Sequence, residues 1–298
     1  DAAAAVRAGL DPSFRLTDIP LDDAATADLI ARGETIGVFQ CESDGAQRTL
    51  RKLKARSVHD LAIANAFFKP GPAMGGMASA FVRRYRGEEA VTYLHPALEP
   101  ILGPTQGVLI FQEQILRLAR EIAGLTWAQA DQLRRGMSHF GVHEMEALRE
   151  QFIAGCQAPP PAGHGFSPAQ AVTLWEQVLP FAGYGFNQGH ATAYAEVSFR
   201  SAFLKAHYPA QFLCARLADY GGFHHPAIYM AEAVRLGFTV RPPHINFSRA
   251  AFSLAQGRAG PVFFMGLGQV RDLRQAAISA LGQARAAAPF SGLRDLVQ

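Results

Sequence analysis

The stretch Tyr184-Gly185-Phe186-Asn187-Gln188-Gly189-His190-Ala191 joins a glycine-spaced turn to the start of a long helical pattern. The preceding helical pattern ends at Pro180, and the following one continues to about His207. The asparagine, glutamine and histidine of the stretch therefore stand at a predicted helix N-terminus. Free backbone N–H groups and the helix dipole favour an anion such as phosphate there. A glycine-rich bend selected for its geometry, with a hydrogen-bonded histidine, explains the same pattern.

The composition is that of a globular protein. The 298 residues are 49% hydrophobic and 18% charged, which is enough apolar material for a sizeable core. No apolar run reaches the roughly 18 residues of a membrane span, and the first residues lack the order of a signal peptide. We therefore expect a cytoplasmic protein with no membrane partner. The three cysteines lie far apart and predict buried thiols rather than disulfides or a zinc site.

Helix signals dominate the chain, and strand signals are few. Capping patterns such as Ser57-x-x-Asp60 and Thr126-x-x-Gln129 mark helix starts, and a helix is predicted over 112–123, closed by Gly124. Short strands are predicted at 238–241, 251–254 and 262–265. The sequence therefore predicts a mainly α fold with many helices and a few short strands.

A cluster of five cations lies within nine residues. Its members are Arg48, Arg51, Lys52, Lys54 and Arg56. Such a cluster can follow a phosphate backbone. A solvated helix face explains it equally well.

Patterns for a metal site are weaker. His139 and His143 are four residues apart, but Gly141 between them weakens a shared helix, so chance spacing is the better explanation. The acidic pairs Asp22-Asp23 and Glu88-Glu89 are flanked by polar residues and fit helix caps or surface positions. No metal site is therefore predicted in this chain.

Eight motifs occur in one order along the chain. They are Ile36-Gly-Val-Phe-Gln-Cys-Glu-Ser43, Lys69-Pro-Gly-Pro72, His95-Pro96, Thr105-x-Gly107, Phe111-Gln-Glu-Gln114, Ala130-Asp-x-Leu-Arg-Arg135, Tyr184-Gly-Phe-Asn187 with His190-Ala191, and Leu204-Lys-Ala-His-Tyr-Pro209. With Pro242-Pro-x-x-Asn246-x-Ser248 after them, the series resembles the bacterial DNA polymerase III alpha subunit, a C-family DNA polymerase. The resemblance covers essentially the whole chain and implies the fingers domain, which folds over the incoming deoxynucleotide and the template pair.

The resemblance assigns roles to two groups of residues. Those implied to contact the triphosphate of the dNTP are Lys69, Arg134, Arg135, Asn187, Gln188 and His190. Those implied to hold template–primer DNA are the five cations of residues 48–56, together with Arg271. Arginine suits this role because its planar guanidinium binds phosphate through two parallel hydrogen bonds.

The resemblance also implies chemistry that this chain does not carry. Family members bind two magnesium ions with three palm aspartates that lie upstream of the position matching Asp1. Phosphoryl transfer relies on such metals to stabilise charge on the transferring oxygens, so we expect this chain to be inert by itself. In the full enzyme the implied partners include the sliding clamp and other replisome subunits.

The chain departs from the family pattern at three places. Lys69 replaces the usual arginine, Ser138-His139-Phe140 replaces a Gly-Lys-Lys run, and Gln188-Gly189 replaces Lys-Ser. Lys69 keeps the charge but loses the paired hydrogen bonds of arginine, whereas the other two changes remove lysines near the triphosphate. These departures favour an error-prone, translesion-type paralogue. An alternative is a catalytically silent paralogue that serves as a DNA-binding or protein-docking scaffold. An unrelated helical hydrolase has only His190 and the acidic pairs in its favour.

The resemblance also divides the chain. Residues 1–255 are predicted to be the fingers domain, with sub-lobes at about 1–158 and 166–255 separated by the proline-rich linker 159–165. Residues 256–298 are predicted to form a short β hairpin and the beginning of a helix-hairpin-helix domain. In that domain Asp272-Leu-Arg274 stands where the family has a Gly-Val-Gly turn, so phosphate binding there and a degenerate packing helix are both open.

Overall fold

The computed structural model describes residues 1–67, 74–135, 142–181, 186–258 and 260–297. Over these ranges the chain forms fifteen α-helices and one three-stranded sheet, which confirms the predicted mainly α class. The helices are α1 (Ala2–Gly9), α2 (Ala24–Ala31), α3 (Asp44–Leu53), α4 (Val58–Phe67), α5 (Met74–Tyr85), α6 (Glu99–Leu102), α7 (Gln112–Arg117), α8 (Trp127–Arg135), α9 (Val142–Gln157), α10 (Pro168–Val178), α11 (Gln188–His207), α12 (Pro209–Ala218), α13 (Pro226–Arg235), α14 (Gln275–Ala287) and α15 (Leu293–Val297). The strands are β1 (Thr239–Arg241), β2 (Ser253–Gly257) and β3 (Gly260–Phe264).

The chain divides into two compact units. The first contains Asp1–Ile30, Glu34–Gln47 and Ser198–Gln298, and the second contains Ala31–Gly33 and Arg48–Val197. The proline-rich segment 159–165 lies inside the second unit. The predicted sub-lobes on either side of that segment are a different division of the chain, and they stay a prediction.

The sheet of the first unit has the strand order β1-β3-β2. β1 runs parallel to β3, and β2 pairs with β3 as an antiparallel hairpin that closes at Gly257 and Gly260. β2 begins two residues later than predicted. The reason is that the carbonyls of Arg249 and Ala250 accept hydrogen bonds from the N–H groups of Leu267 and Gly268, which follow the hairpin.

A buried ion pair fixes α11 to α13 in the first unit. Lys205 Nζ lies 2.7 Å from Glu232 Oε1 and also donates to the backbone carbonyls of Glu34 and Ile36, both at 2.7 Å. Burial lowers the pKa of Lys205. The pKa of Glu232 is also lowered, since hydrogen bonds from Arg235 and Lys205 together outweigh the opposing effect of burial. Lys205 therefore has a structural role, because its ammonium group is fully used by two backbone carbonyls and the Glu232 carboxylate.

A second carboxylate organises the same loop. Glu42 accepts hydrogen bonds from the Gly37 N–H at 2.9 Å, from the Tyr229 hydroxyl at 2.8 Å and from Arg216 Nη2 at 2.6 Å. Its side chain is only 4% exposed. A buried carboxylate needs such partners because an unpaired charge is costly inside a protein. Two of the eight sequence motifs thus contain residues that hold the fold together.

The second unit has its own apolar core, built by α6 to α10 and the turns between them. Phe152 on α9 and Trp175 on α10 meet edge to face with ring centroids 5.4 Å apart. α9 also approaches the end of the π-helical turn Leu118–Ile122 closely, because a Cβ added at Gly155 would lie 1.9 Å from the Ala123 carbonyl oxygen. Glycine at this position is what allows the contact.

Candidate functional site

The first turn of α7 is held rigidly by Gln114. Its Oε1 accepts hydrogen bonds from the N–H groups of Ile110 and Phe111 at 2.8 and 2.9 Å, and its Nε2 donates to Thr105 Oγ1 at 2.7 Å. Gln114 is buried, whereas Gln112 and Glu113 of the same turn are partly exposed. A π-helical turn, Leu118–Ile122, continues α7 directly and ends before Gly124, which has φ +66°. The turn therefore presents two polar side chains from a fixed backbone.

The start of α11 is joined to the start of α7 through the main chain. Phe186 and Phe111 form an isolated parallel β-bridge, in which the Gln112 N–H donates to the Phe186 carbonyl at 2.9 Å. Asn187 then caps α11, since its Oδ1 accepts from the His190 N–H at 2.6 Å. The asparagine, glutamine and histidine predicted to stand at a helix N-terminus do stand there.

A carboxylate already occupies this helix N-terminus. Glu113 Oε1 accepts from Asn187 Nδ2 at 2.9 Å, and Glu113 Oε2 accepts from the Gln188 N–H at 2.8 Å. The interaction uses the backbone N–H of Gln188. Negative charge is favourable at this end of the helix dipole. The helix start therefore binds a carboxylate of the protein itself, and the binding of a ligand anion there stays a prediction.

Aromatic rings line the exposed side of this first turn. The His190 ring lies 5.7 Å from Phe186, edge to face, and 4.1 Å from Tyr194, one turn further along α11. Both His190 and Tyr194 are exposed. The imidazole is thus part of a surface row of rings beside the capped helix start.

Arg134 and Arg135 form the end of α8 and share one carboxylate. Asp131 Oδ1 lies 2.7 Å from Arg134 Nη2, and Asp131 Oδ2 lies 2.6 Å from Arg135 Nη2. The hydrogen bond from Arg134, supported by Arg135, lowers the pKa of Asp131. Arg134 Nη1 also reaches Gln112 Oε1 at 3.5 Å. Arg134 and the start of α11 therefore meet at the same turn of α7, and Arg135 is linked to Arg134 through Asp131.

Several predicted residues fall outside the described ranges. They are Lys69, Tyr184, Gly185, Ser138, His139 and Phe140. Their predicted roles stay predictions. Of the six residues expected to contact triphosphate, the structure thus describes five. Arg134, Asn187 and Gln188 contact Gln112 or Glu113. Arg135 is joined to Arg134 through Asp131, and the His190 N–H donates to Asn187.

The basic run does not form one helix face. Arg48, Arg51 and Lys52 lie on α3 and are exposed, while Lys54 follows the helix in a left-handed conformation with φ +52°. The Ala55 N–H donates to the Leu50 carbonyl and the Lys54 N–H to the Arg51 carbonyl. This is a Schellman motif, in which the left-handed position is usually glycine. The cations are therefore spread along a helix end and the loop after it.

Arg271 lies on an exposed turn before α14. Its side chain is 95% exposed, and Nε lies 3.7 Å from Asp272 Oδ2. The Leu273 N–H donates to the Val270 carbonyl, and Asp272 adopts φ +65°. Asp272 thus takes the left-handed conformation of a turn glycine, but it adds a carboxylate beside Arg271.

Sequence reasoning missed three residues of this site: Gln112, Glu113 and Asp131. All three lie within motifs that were recognised, but no pattern there indicates which groups they bind. The partners of Glu113 are 74 and 75 residues away along the chain.

Other features of the described ranges give no second site. A cavity of about 660 Å³ in the second unit is lined mainly by apolar side chains, with Arg84 and Glu176 among them, and by none of the predicted site residues. Among the residues that the structure describes, no three His, Cys, Asp or Glu side chains are grouped to hold a metal ion. None of the described helices has the length and apolar character to cross a membrane.

Known proteins similar to this chain are DNA polymerases. An error-prone DNA polymerase of Anaeromyxobacter sp. (strain K) is 40% identical over 293 residues, which is 95% of this chain and 25% of that protein. The DNA polymerase III subunit alpha of Pseudomonas fluorescens is 36% identical over 292 residues, and that of Mycobacterium tuberculosis (strain CDC 1551 / Oshkosh) is 36% identical over 290 residues. Each match covers 96% of this chain and 24% of the relative. The chain thus spans about a quarter of the length of these relatives.

Two family models match the chain itself. A helix-hairpin-helix motif matches residues 237–298, which include the sheet, α14 and α15. The model of the bacterial DNA polymerase III alpha subunit finger domain matches residues 1–159. More than half of the sequence is covered by that second model, and the chain belongs to the bacterial DNA polymerase III alpha subunit family, of which it carries the fingers.

Proposed function

We propose that this chain is the nucleotide-binding and DNA-binding fingers part of a DNA-directed DNA polymerase. The observation that carries the proposal is that Arg134 and the N-terminus of α11 meet at the first turn of α7, while Arg135 shares the Asp131 carboxylate with Arg134. A triphosphate needs several fixed donors, and this junction offers two guanidinium groups and the first amides of a long helix. We assign the triphosphate of the incoming dNTP to it, with Lys69 as a further proposed contact.

The chemistry of the junction is binding and orientation. Guanidinium groups bind phosphate oxygens through paired hydrogen bonds, and helix N-terminal amides add donors without a flexible side chain. Magnesium supplies charge stabilisation in phosphoryl transfer when it is bound. We assign its ligands to residues outside this chain. The residues described above hold the nucleotide in position and reduce its mobility.

The nucleotide role is tested in the full-length polymerase. Replacing Arg135 by alanine removes one guanidinium from the junction, and we expect the KM for dNTP in primer extension to rise by about tenfold or more, since hydrogen bonds to charged groups contribute about 1.5–3 kcal/mol. The matched control is Arg149→Ala, because Arg149 is an exposed arginine on α9 that pairs with Glu146. An unchanged KM and rate for Arg135→Ala removes this residue from the site.

We further propose that Arg48, Arg51, Lys52, Lys54 and Arg56 hold template–primer DNA, with Arg271 as a contact in the helix-hairpin-helix region. Contacts to phosphate release counterions, so affinity falls as salt rises, and each lost contact reduces the slope of log K against log salt by about one. The Arg51→Ala variant is expected to reduce the slope in this way for any DNA sequence. An unchanged slope and affinity argues against the assignment.

The type of polymerase is a separate proposal. The neutral Gln188 and Gly189 at the start of α11 favour an error-prone, translesion-type enzyme, and the similarity to relatives named error-prone DNA polymerase supports it. The same neutral positions motivate the second candidate, a catalytically silent paralogue that binds DNA or proteins as a scaffold. A primer-extension assay of the full reading frame separates them, because the scaffold extends no primer.

The remaining proposals concern the domain boundaries, the cellular location and the partner proteins. We place the fingers at residues 1–255, with sub-lobes at about 1–158 and 166–255, and a short β hairpin with the start of the helix-hairpin-helix domain at 256–298. We assign the protein to the cytoplasm, because bacterial DNA is copied there. Contacts with a sliding clamp and other replisome subunits belong to the full enzyme and are tested by co-purification with it.

A further inference from the structure

We propose that Glu113 is a built-in competitor of the incoming nucleotide, whose carboxylate occupies the start of α11 until a triphosphate displaces it. The inference rests on the proposed function, because it takes the junction of α7, α8 and α11 as the triphosphate site. It assigns a specificity role to a residue that carries a charge of the same sign as the ligand.

The geometry of Glu113 supports competition. Its two oxygens use the Gln188 N–H and the Asn187 Nδ2, at 2.8 and 2.9 Å, and these are donors that a phosphate at the helix start needs. A phosphate oxygen and a carboxylate oxygen cannot accept the same backbone hydrogen at normal distances. The ligand therefore binds this amide only when the Glu113 side chain has left it.

The surrounding charges support the same conclusion. Arg134 and Arg135 already share the Asp131 carboxylate, so the cations of the site are partly neutralised by the protein in the structure described. Glu113 has no arginine or lysine among the partners described above, and it is bound by an amide side chain and a backbone N–H. It is thus held by weaker donors than Asp131 and is the easier of the two carboxylates to displace.

A ligand must therefore carry enough negative charge to displace the Glu113 carboxylate. A weakly charged ligand gains too little at the helix start to replace a carboxylate that is already there. A triphosphate gains more, because several oxygens bind the two guanidinium groups and the helix amides together. When the product pyrophosphate leaves, the Glu113 side chain can return to the same two donors.

The test is the Glu113→Gln variant of the full-length polymerase. Glutamine keeps the shape and one acceptor oxygen for the helix start but removes the negative charge. We expect the Kd of dNTP, measured on a chain-terminated template–primer, to fall by about five- to thirtyfold, as expected for the loss of one like charge at this range. The inhibition constant of inorganic pyrophosphate is expected to fall as well.

The controls separate this inference from the proposed function. Glu121→Gln removes a carboxylate from the π-helical turn after α7, where it pairs with Arg117, and is expected to leave both constants unchanged. If Arg134→Ala and Arg135→Ala weaken dNTP binding while Glu113→Gln leaves it unchanged or weaker, the competitor role is wrong and the site stands. If the arginine variants bind dNTP normally, the proposed site itself is wrong.

A second variant, Glu113→Asp, tests the competition if Glu113→Gln does not fold. Glu113→Asp keeps the charge but shortens the side chain by one methylene, which draws the carboxylate away from Gln188. We expect it to lower the Kd of dNTP by less than Glu113→Gln does. A Kd that is equal to or higher than that of the wild type in a folded Glu113→Asp variant contradicts competition for the Gln188 N–H.

Discussion

Lys205 Nζ and Glu232 Oε1 are 2.7 Å apart, and their side chains are 1% and 7% exposed. Such a pair adds little over an apolar pair of the same size, but losing one partner leaves the other charge buried. Lys205→Met should therefore lower the free energy of unfolding by about 3–5 kcal/mol, as measured by urea titration. The matched control is Arg117→Met, which breaks an exposed pair with Glu121 and should cost about 1 kcal/mol or less. Equal losses for the two variants would contradict the structural role of Lys205.

Acid should weaken the same ion pair. The folded-state pKa of Glu232 is lowered, so its contribution to stability is fully present above the ordinary pKa of a glutamate and is lost as the pH falls through the lowered value. We expect the free energy of unfolding of the wild type to decrease between pH 5 and pH 3. Glu232→Gln has no carboxylate to protonate and should show a shallower decrease over this range. Parallel curves for the two proteins would show that Glu232 does not contribute to the acid dependence.

The left-handed conformation of Lys54 predicts a stabilising substitution. A non-glycine residue with this φ costs roughly 1–2 kcal/mol, and glycine does not have that cost. Lys54→Gly should therefore stabilise the protein by about 1 kcal/mol in thermal or urea unfolding. Lys52→Gly, two residues earlier and inside α3, should destabilise it by about as much. Stabilisation by both changes, or by neither, would contradict the Schellman geometry.

Lys54→Gly and Lys52→Gly also test whether the cations of residues 48–56 bind DNA. Each removes one lysine of the basic run, while their effects on stability have opposite signs. A decrease in DNA affinity shared by both, with a salt slope lower by about one, assigns the effect to charge. A decrease seen only for Lys52→Gly assigns it to unfolding of the helix end instead.

Replacing Asp272 is expected to increase the affinity for DNA. Its side chain is 91% exposed and lies beside Arg271, so its carboxylate should repel a phosphate that approaches the turn. Asp272→Asn removes the charge and keeps a residue type that tolerates φ +65°. Duplex binding by fluorescence anisotropy should become tighter by about two- to fivefold at low salt, and Asp272→Gly should give a similar change. Unchanged binding by both variants would place this turn outside the DNA interface.

Local signals in the sequence were sufficient for much of the fold. The box Thr126-x-x-Gln129 forms as predicted, since the Thr126 N–H donates to Gln129 Oε1 and the Gln129 N–H donates to Thr126 Oγ1. The π-helical turn that continues α7 ends before Gly124, where the helix was predicted to close. These patterns depend on residues three or four positions apart. The start of β2 was placed two residues early, because the atoms that pair with Arg249 and Ala250 lie beyond the hairpin.

The candidate site contains contacts that local sequence patterns do not predict. The helix start at Asn187 could be predicted from caps and breakers, and the arginines from the ordered motifs. Glu113 could not be placed beside Gln188, since a contact over 75 residues leaves no trace in local spacing. The charge of Glu113 also opposes the role of the site, so reasoning from phosphate-binding residue types does not select it.

The bridge between Phe111 and Phe186 uses main-chain atoms, so it is insensitive to which side chains stand there. A one-residue insertion or deletion next to Phe186 is different, because it would shift every donor at the start of α11 relative to Glu113 and Gln112. Among natural variants of this segment, changes of length should therefore be rare.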